Sequence, residues 1–322
     1  MGQAQSKEAR GNTYLAILSL QVGLQPLLQK SFAQDVRISR VSLVLACECA
    51  KLVASALLLS STGGWGEATQ QWSFKSMIAA AGTPAVIYAL QNVCIQTAYQ
   101  KLSMVIFNLL NQSKIIFTAL FLYALAGKKQ TPQQLMALVM LSAAAVMLSS
   151  KEAESKGKKA ERQTKMLSGS GLGVACVLTA SALSGLATSL SQVTLQNQGR
   201  NSFLYSMELA VISMTTLLGS SVISGNTDQL HLRGWRASTL LPVMTQGCGG
   251  ILIGQVTKNL GAVEKCFATV IGILITGLAQ KMVFGRPFDS KRQRFSALLV
   301  IASVLLHAKG GESPTRTLLK RK

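Results

Sequence analysis

Two lysines stand where a lysine is hard to keep. Residues 107–127, FNLLNQSKIIFTALFLYALAG, form an apolar window long enough to cross a membrane, with Lys114 a third of the way along it. Residues 262–284 form another, with Lys265 near its start. A fixed charge at the centre of a bilayer costs about 2.5–3.5 kcal/mol on insertion scales, so an intramembrane lysine points to a function by default. No acidic residue lies within a helical turn of Lys114. Glu264 adjoins Lys265, but neighbours in sequence do not face each other on a helix. The chemistry that suits such lysines is the holding of an anion, since compact ammonium groups bind phosphate as point charges. Snorkelling is the competing reading, and it fits Lys30, Lys258 and Lys281 near the ends of their windows. Glu48 and Lys51, in CECAK, sit three residues apart on one helix face and can neutralise each other as a structural or gating ion pair.

Uncharged hydrogen-bonding groups accompany the lysines. YALQN supplies Tyr88, Gln91 and Asn92, and NLLNQSK supplies Asn108, Asn111, Gln112 and Ser113. SALSGLATSLSQ adds Ser184, Thr188 and Gln192, and YSMEL adds Tyr205, Ser206 and Glu208. Amides and hydroxyls can read a base edge and sugar hydroxyls. Bonds between helices would use many of them too, at about 0.6 kcal/mol each. Beside two lysines they describe a ligand with phosphate at one end. Catalysis is poorly supplied: Asp35, Asp228, His231 and Asp289 are scattered over the loops, and the other histidine, His307, stands near the end. The six cysteines make no CxxC and no His-paired ligand spacing, so neither a metal site nor a cofactor is expected.

The elements that must position these groups are membrane helices. Of 322 residues, 49% are hydrophobic and 14% charged, and the mean hydropathy is +0.35. A soluble domain would carry about 25% charged residues. Windows near the roughly 20 residues of a spanning helix fall at 13–33, 41–62, 76–99, 102–126, 132–150, 169–195, 202–224, 237–257, 262–284 and 295–309. The last is short and needs part of the basic run before it. The expected fold is therefore an all-α polytopic membrane protein with ten transmembrane helices. The polar stretch KEAESKGKKAERQTK divides them into two five-helix repeats. The expected organisation is a tail at 1–12, halves at 13–150 and 168–309, a linker at 151–167 and a basic tail at 310–322. Internal repeats place a transporter's substrate site between the halves. One window carries Lys114 and ends in ALAGKK; another carries Lys265 and ends in MVFGRP.

The net charge of +20 would suggest nucleic acid in a soluble protein. Here the basic residues lie in short loops beside membrane helices, where anionic headgroups or an anionic substrate account for them, and no nucleic-acid partner is expected. Lys and Arg divide without a clear bias between alternate loops, so charge alone assigns no orientation. Gly2 and Ser6 match the M-G-x-x-x-[ST] myristoylation pattern, although a ten-span chain has no need of a lipid anchor. No cleavable signal peptide is visible.

PAVIYALQN followed by FNLLNQSKIIFTALF resembles the nucleotide-sugar transporters of the CMP-sialic acid/UDP-galactose transporter family. Their third and fourth spans read P-x-x-(I/V)-Y-A-x-Q-N and then Q-x-K-(I/L). ECAK, SGLA, GGILIG and VEKCFAT continue the likeness in order along nearly the whole chain. LQVGLQPLL, LNQSKI, LSGLATSLSQ and GGILIGQVT look most similar to the plant-type branch for UDP-N-acetylglucosamine and UDP-N-acetylgalactosamine. The resemblance implies the ten-helix drug/metabolite transporter fold with cytosolic termini in a Golgi membrane, the endoplasmic reticulum being the alternative. It implies antiport of a cytosolic UDP-sugar, or UDP-galactose, against luminal nucleoside monophosphate, with CMP-sialic acid or another phosphorylated metabolite as the alternative cargo. Beyond the bilayer and these solutes, a homodimer is the one partner to consider. By position, Lys114 and Lys265 would hold the phosphates, and Tyr88 and Asn92 would contact the nucleoside, helped by Ser184 and Ser206. Gln91 and Gln112 beside them complete the expected set. Two departures stand in the half that helps define the nucleotide: Tyr205-Ser206 where much of the family has Arg-Asn, and Gln192-Val193 where it often has Glu-Lys.

Overall fold

The computed structural model describes residues 2–33, 38–70, 72–102, 107, 110–154, 171–225, 231–284 and 291–311. Helices account for its regular structure, with no strand among the described residues. The chain runs α1 (Gly2–Phe32), α2 (Arg40–Ser61), the short α3 (Trp65–Thr69) and α4 (Phe74–Met77), then α5 (Thr83–Lys101), α6 (Lys114–Ala126) and α7 (Pro132–Glu154). It continues with α8 (Gly171–Gln192), α9 (Ser202–Ile223), α10 (Leu240–Asn259), α11 (Ala262–Phe284) and α12 (Lys291–Gly311).

Local chemistry sets the boundaries. Ser73 and Ser76 cap α4 reciprocally, each backbone N–H reaching the other's hydroxyl at 3.1 Å. A π turn, Ile78–Gly82, joins α4 to α5. Pro84 explains it: the ring has no N–H and crowds the carbonyl four residues back, so the ladder widens there. Pro132 occupies the first position of α7, where a missing N–H costs nothing. Thr131 and Gln134 close a capping box before it, at 2.9 and 3.2 Å. Gly127 ends α6 in the left-handed region at φ 62°.

Among the described residues, five helices are long and apolar enough to cross a membrane: Val41–Ser61, Gly171–Asn197, Ser202–Ile223, Ala237–Asn259 and Ala262–Ala279. Lys114–Ala126 and Pro132–Met147 are apolar but shorter. The rest fall below that standard for readable reasons. α5 carries Gln91, Asn92, Gln96, Thr97 and Gln100; α12 opens with Lys-Arg-Gln-Arg, the basic run its length requires; α1 begins with twelve mostly polar residues. The protein is an all-α polytopic membrane protein.

The window at 102–126 is where sequence and structure diverge. The helix is interrupted: Leu110 and Asn111 are helical, Gln112–Ser113 form a turn, and regular helix resumes at Lys114. Residues 103–106 and 108–109, including Asn108, lie outside the described residues, as do most of the linker and the end of the basic tail. Asn-Gln-Ser is turn-forming, since these side chains compete for backbone groups. Ser113 Oγ does so, donating to Leu110 O at 2.6 Å.

The chain divides into two compact units, each drawing on both sequence halves: residues 1–89 with 190–280, and residues 90–189 with 281–322. In the first unit α10 packs on α1 and α2, and α2 also packs on α9. Leu18, Val256 and Ala268 form one buried cluster and Ala81, Leu195 and Tyr205 another. Small residues allow the close approaches. A Cβ on Gly272 would lie 3.2 Å from the Gly23 nitrogen, and one on Gly247 3.0 Å from the Lys51 nitrogen. Thr276 Oγ1 donates to Gly23 O at 2.7 Å beside the first of these crossings. In the second unit α12 packs along α7, and Ala98, Phe107 and Val177 share a buried cluster.

Candidate substrate-binding site

Within the second unit, Lys114 is the first residue of α6 and half-buried. Its carbonyl accepts from Thr118 Oγ1 at 2.8 Å. The N-terminal end of a helix carries partial positive charge, so lysine and helix end both favour an anion there. Gln112 lies in the turn before it. α8, which bears Ser184, crosses α6 at Gly185: a Cβ there would sit 2.8 Å from Phe117 C and Thr118 N. The buried Ser189 hydroxyl donates to Thr118 O at 3.3 Å, one turn further on. Gln91, on α5, has a buried Oε1 that accepts no hydrogen bond among the described residues. A buried acceptor without a donor is rare in a finished core and is what a site built to receive a donor would contain. Asn92 follows on the same helix, its side chain outside the description.

Within the first unit, Lys265 stands in the first turn of α11, half-buried, its carbonyl receiving Thr269 Oγ1 at 3.2 Å. That helix start is held by a glutamine relay. Gln192 Oε1 accepts from the Ala262 N–H at 2.7 Å. Gln192 Nε2 donates to Gln196 Oε1 at 2.9 Å, and Gln196 Nε2 to Thr257 O at 2.7 Å. Gln192 therefore cross-links α8, α10 and α11, which is a structural reason for an amide at this departure from the family pattern. Replacing it with leucine leaves the buried Ala262 N–H without that acceptor. The expected cost is about 1–3 kcal/mol, read as a lowered thermal midpoint in detergent, with a weaker hold on nucleotide because the turn bearing Lys265 loosens.

Ser206 is 3% exposed, donates to Ser202 O at 2.8 Å and packs against Gly254 of α10. Its hydroxyl oxygen keeps lone pairs to offer. Tyr205 is buried beside it and shares a 2.8 Å hydroxyl–hydroxyl bond with Ser191. Tyr88, on α5, is half-buried. Glu48 and Lys51 do pair, at 2.5 Å on α2, with the Lys51 stem against Gly250 of α10. The structure thus groups Tyr88, Ser206, Lys265 and the Glu48–Lys51 pair in one unit, and Gln91, Asn92, Gln112, Lys114 and Ser184 in the other.

Sequence reasoning left Glu208 without a partner; the fold supplies two. Arg200 donates from Nε to Oε2 at 2.8 Å and from Nη2 to Oε1, and Trp72 donates from Nε1 to Oε1 at 3.0 Å. A buried carboxylate demands such partners, but Arg200 lies outside the apolar window and reaches back from the loop before α9. Beside this cluster opens a cleft of about 470 Å³, lined by Glu67, Gln70, Trp72, Gln198, Arg200 and Lys258 among others. Among the described residues no group of three or more His, Cys, Asp or Glu could hold a metal ion.

A polytopic helical membrane protein with half-buried lysines in the first turns of two helices is built like a carrier of anions. Residues 14–308 match the family model for nucleotide-sugar transporters, and the chain belongs to that family. It is 36% identical over 92% of its length, and 91% of the relative's, to the UDP-N-acetylglucosamine transporter ROCK1 of Arabidopsis thaliana. It is 25% identical over 73% of its length, and 69% of the relative's, to the UDP-N-acetylglucosamine/UDP-N-acetylgalactosamine transporter nstp-4 of Caenorhabditis elegans. A solved crystal structure superposes with a TM-score of 0.67 over 95% of this chain and all of that one; at 11% identity the likeness concerns the fold alone. On its family membership the chain is a transporter and not an enzyme.

Proposed function

We propose that this chain exchanges a cytosolic UDP-N-acetylhexosamine for luminal UMP across a Golgi membrane by alternating access. The observation that carries the reading is the 36% identity, extending over nine-tenths of both chains, to a transporter named for UDP-N-acetylglucosamine. Ten membrane crossings arranged as two five-helix repeats complete it, in keeping with the ten apolar windows.

In this reading Lys114 and Lys265 hold the phosphates, Tyr88 and Asn92 contact the nucleoside, and Gln91, Gln112, Ser184 and Ser206 supply further polar contacts. Both lysines sit in the first turn of a helix, where the backbone adds its own partial positive charge. Broken helices whose N-terminal ends meet anionic substrate are a recurring transporter device. The turn at Gln112–Ser113 before Lys114 gives this chain such a helix end. Gln91, with its buried acceptor, is suited to an N–H or hydroxyl of the ligand.

Counterflow tests it. Purified protein in liposomes preloaded with UMP, CMP or GMP is offered labelled UDP-N-acetylglucosamine, UDP-galactose, CMP-sialic acid and GDP-mannose. UDP-N-acetylglucosamine should accumulate against UMP and against neither other nucleotide. Accumulation of CMP-sialic acid against CMP would replace the cargo and keep the class. Exchange with none of the three nucleotides would sink the mechanism, and rapid uptake into empty liposomes would sink obligatory exchange.

A further inference from the structure

The Arg200–Glu208–Trp72 cluster fits neither of the two ligand readings its charges invite. Glu208 is 3% exposed and its two oxygens already receive three N–H groups, so a cation would have to displace Arg200. The adjoining cleft carries no net positive charge to hold a phosphate, because Arg200 spends its charge on Glu208 and Glu67 offsets Lys258 in the lining. What the cluster does is mechanical. Its three members come from three stretches of chain: Trp72 precedes α4, Arg200 lies in the loop after α8, and Glu208 stands two turns into α9. Arg200 Nη2 also reaches Ser76 Oγ of α4 at 3.5 Å.

At the base of α9, Asn201 Oδ1 accepts from the N–H groups of Phe203 and Leu204 at 2.9 and 3.4 Å. That cap is internal to α9; the ties to other elements are at Glu208 and at Tyr205, whose hydroxyl shares a 2.8 Å bond with Ser191 of α8. Ser206 lies between the two ties. A helix held at two points one turn apart resists rotation and sliding between them. All of these residues belong to one compact unit.

We propose that Arg200, Glu208 and Trp72 are positioning residues that fix the rotation of α9 and thereby tune substrate affinity and sugar selectivity through Tyr205 and Ser206. The proposal rests on the reading that this part of α9 contacts the nucleotide sugar. A bidentate arginine fork gives directional restraint as well as energy, and mutations away from a ligand shift its binding through such restraints.

The test separates positioning from stability. Arg200→Met strands a buried carboxylate and should lower the thermal midpoint by about 5 °C or more. The double variant Arg200→Met/Glu208→Met removes both charges and should bring the midpoint back within about 3 °C of the parent. Its half-saturation for UDP-N-acetylglucosamine in counterflow should nonetheless stay raised by roughly fivefold, with an altered ratio against UDP-N-acetylgalactosamine and little change in maximal rate. Trp72→Phe keeps the ring and drops one hydrogen bond, and should shift affinity in the same direction at near-parental stability. Recovery of parental affinity and selectivity in the double variant would make the cluster merely structural and overturn the proposal; so would unaltered affinity in Trp72→Phe, which decides the matter should the double variant not fold. If the parent protein carries a different nucleotide sugar, the same ratios are measured on that substrate. The clamp then stands or falls apart from the choice of cargo.

Discussion

Lys114→Ala should abolish saturable exchange of UDP-N-acetylglucosamine for UMP, with binding weakened by about 10–150-fold. That range is the 1.5–3 kcal/mol of a hydrogen bond to a charged group. Lys114 begins α6, so the alanine variant loses the ammonium but keeps the helix end and its partial charge. Residual weak binding is therefore expected, selective for phosphate over an uncharged nucleoside. Lys114→Arg retains charge but replaces a compact group with a planar fork, and should recover only part of the affinity. Lys265→Ala should behave alike. If both lysines hold the same phosphates, the double alanine variant should weaken binding by other than the product of the single effects. Lys129→Ala, exposed past the end of α6, is the control and should match the parent. Competition of UMP, uridine and UDP-N-acetylglucosamine against labelled substrate reads all of these. Unchanged UMP affinity in Lys114→Ala would return that lysine to a structural role.

Gly185→Val should cost as much by a different route. The Cβ that any other residue would place there falls 2.8 Å from two backbone atoms of α6 and 2.9 Å from Phe117 Cβ. Backbone cannot step aside as a long side chain can, so α6 and α8 must separate. Overpacking of this kind costs about 1–3 kcal/mol, more where a second methyl follows the first. The expected outcome is a midpoint lowered by about 5 °C or more and loss of exchange, since Lys114 rides on the displaced helix. Gly171→Ala, on the same helix with nothing within 4 Å, should be silent. A stable, fully active Gly185→Val protein would show that the two helices do not cross so closely in the membrane.

The sequence made the family and the helical architecture legible because lipid forces a simple code: long apolar runs must be helices. GGILIGQVT and SGLATSLSQ, which carried the family likeness, also hold glycines at close helix approaches: Gly250 against Lys51 of α2 and Gly185 against α6. What stayed hidden was three-dimensional pairing. Glu48 and Lys51 could be matched on one helix by counting residues, but Glu208 finds Arg200 and Trp72 only through two loops that the apolar pattern leaves blank. Gln192 looked like one more polar side chain until its oxygen met the start of α11. The break before Lys114 was obscured by the strength of the apolar signal on either side of Asn-Gln-Ser.

The interleaving of the two units bears on how the chain is made. α1 and α2 pack on α9 and α10, which follow well over a hundred residues later. At about 5–20 residues per second the first helices must wait in the membrane for about 7 to 40 seconds before their partners are synthesised. The interior of α2 carries two charges, Glu48 and Lys51, and their own i, i+3 pairing neutralises them without help from any later helix. Glu208 has its needs met by residues already translated, since Trp72 and Arg200 both precede it. In neither case does a carboxylate have to wait for a countercharge that the ribosome has yet to deliver. The order of these charges along the chain thus suits insertion one helix at a time.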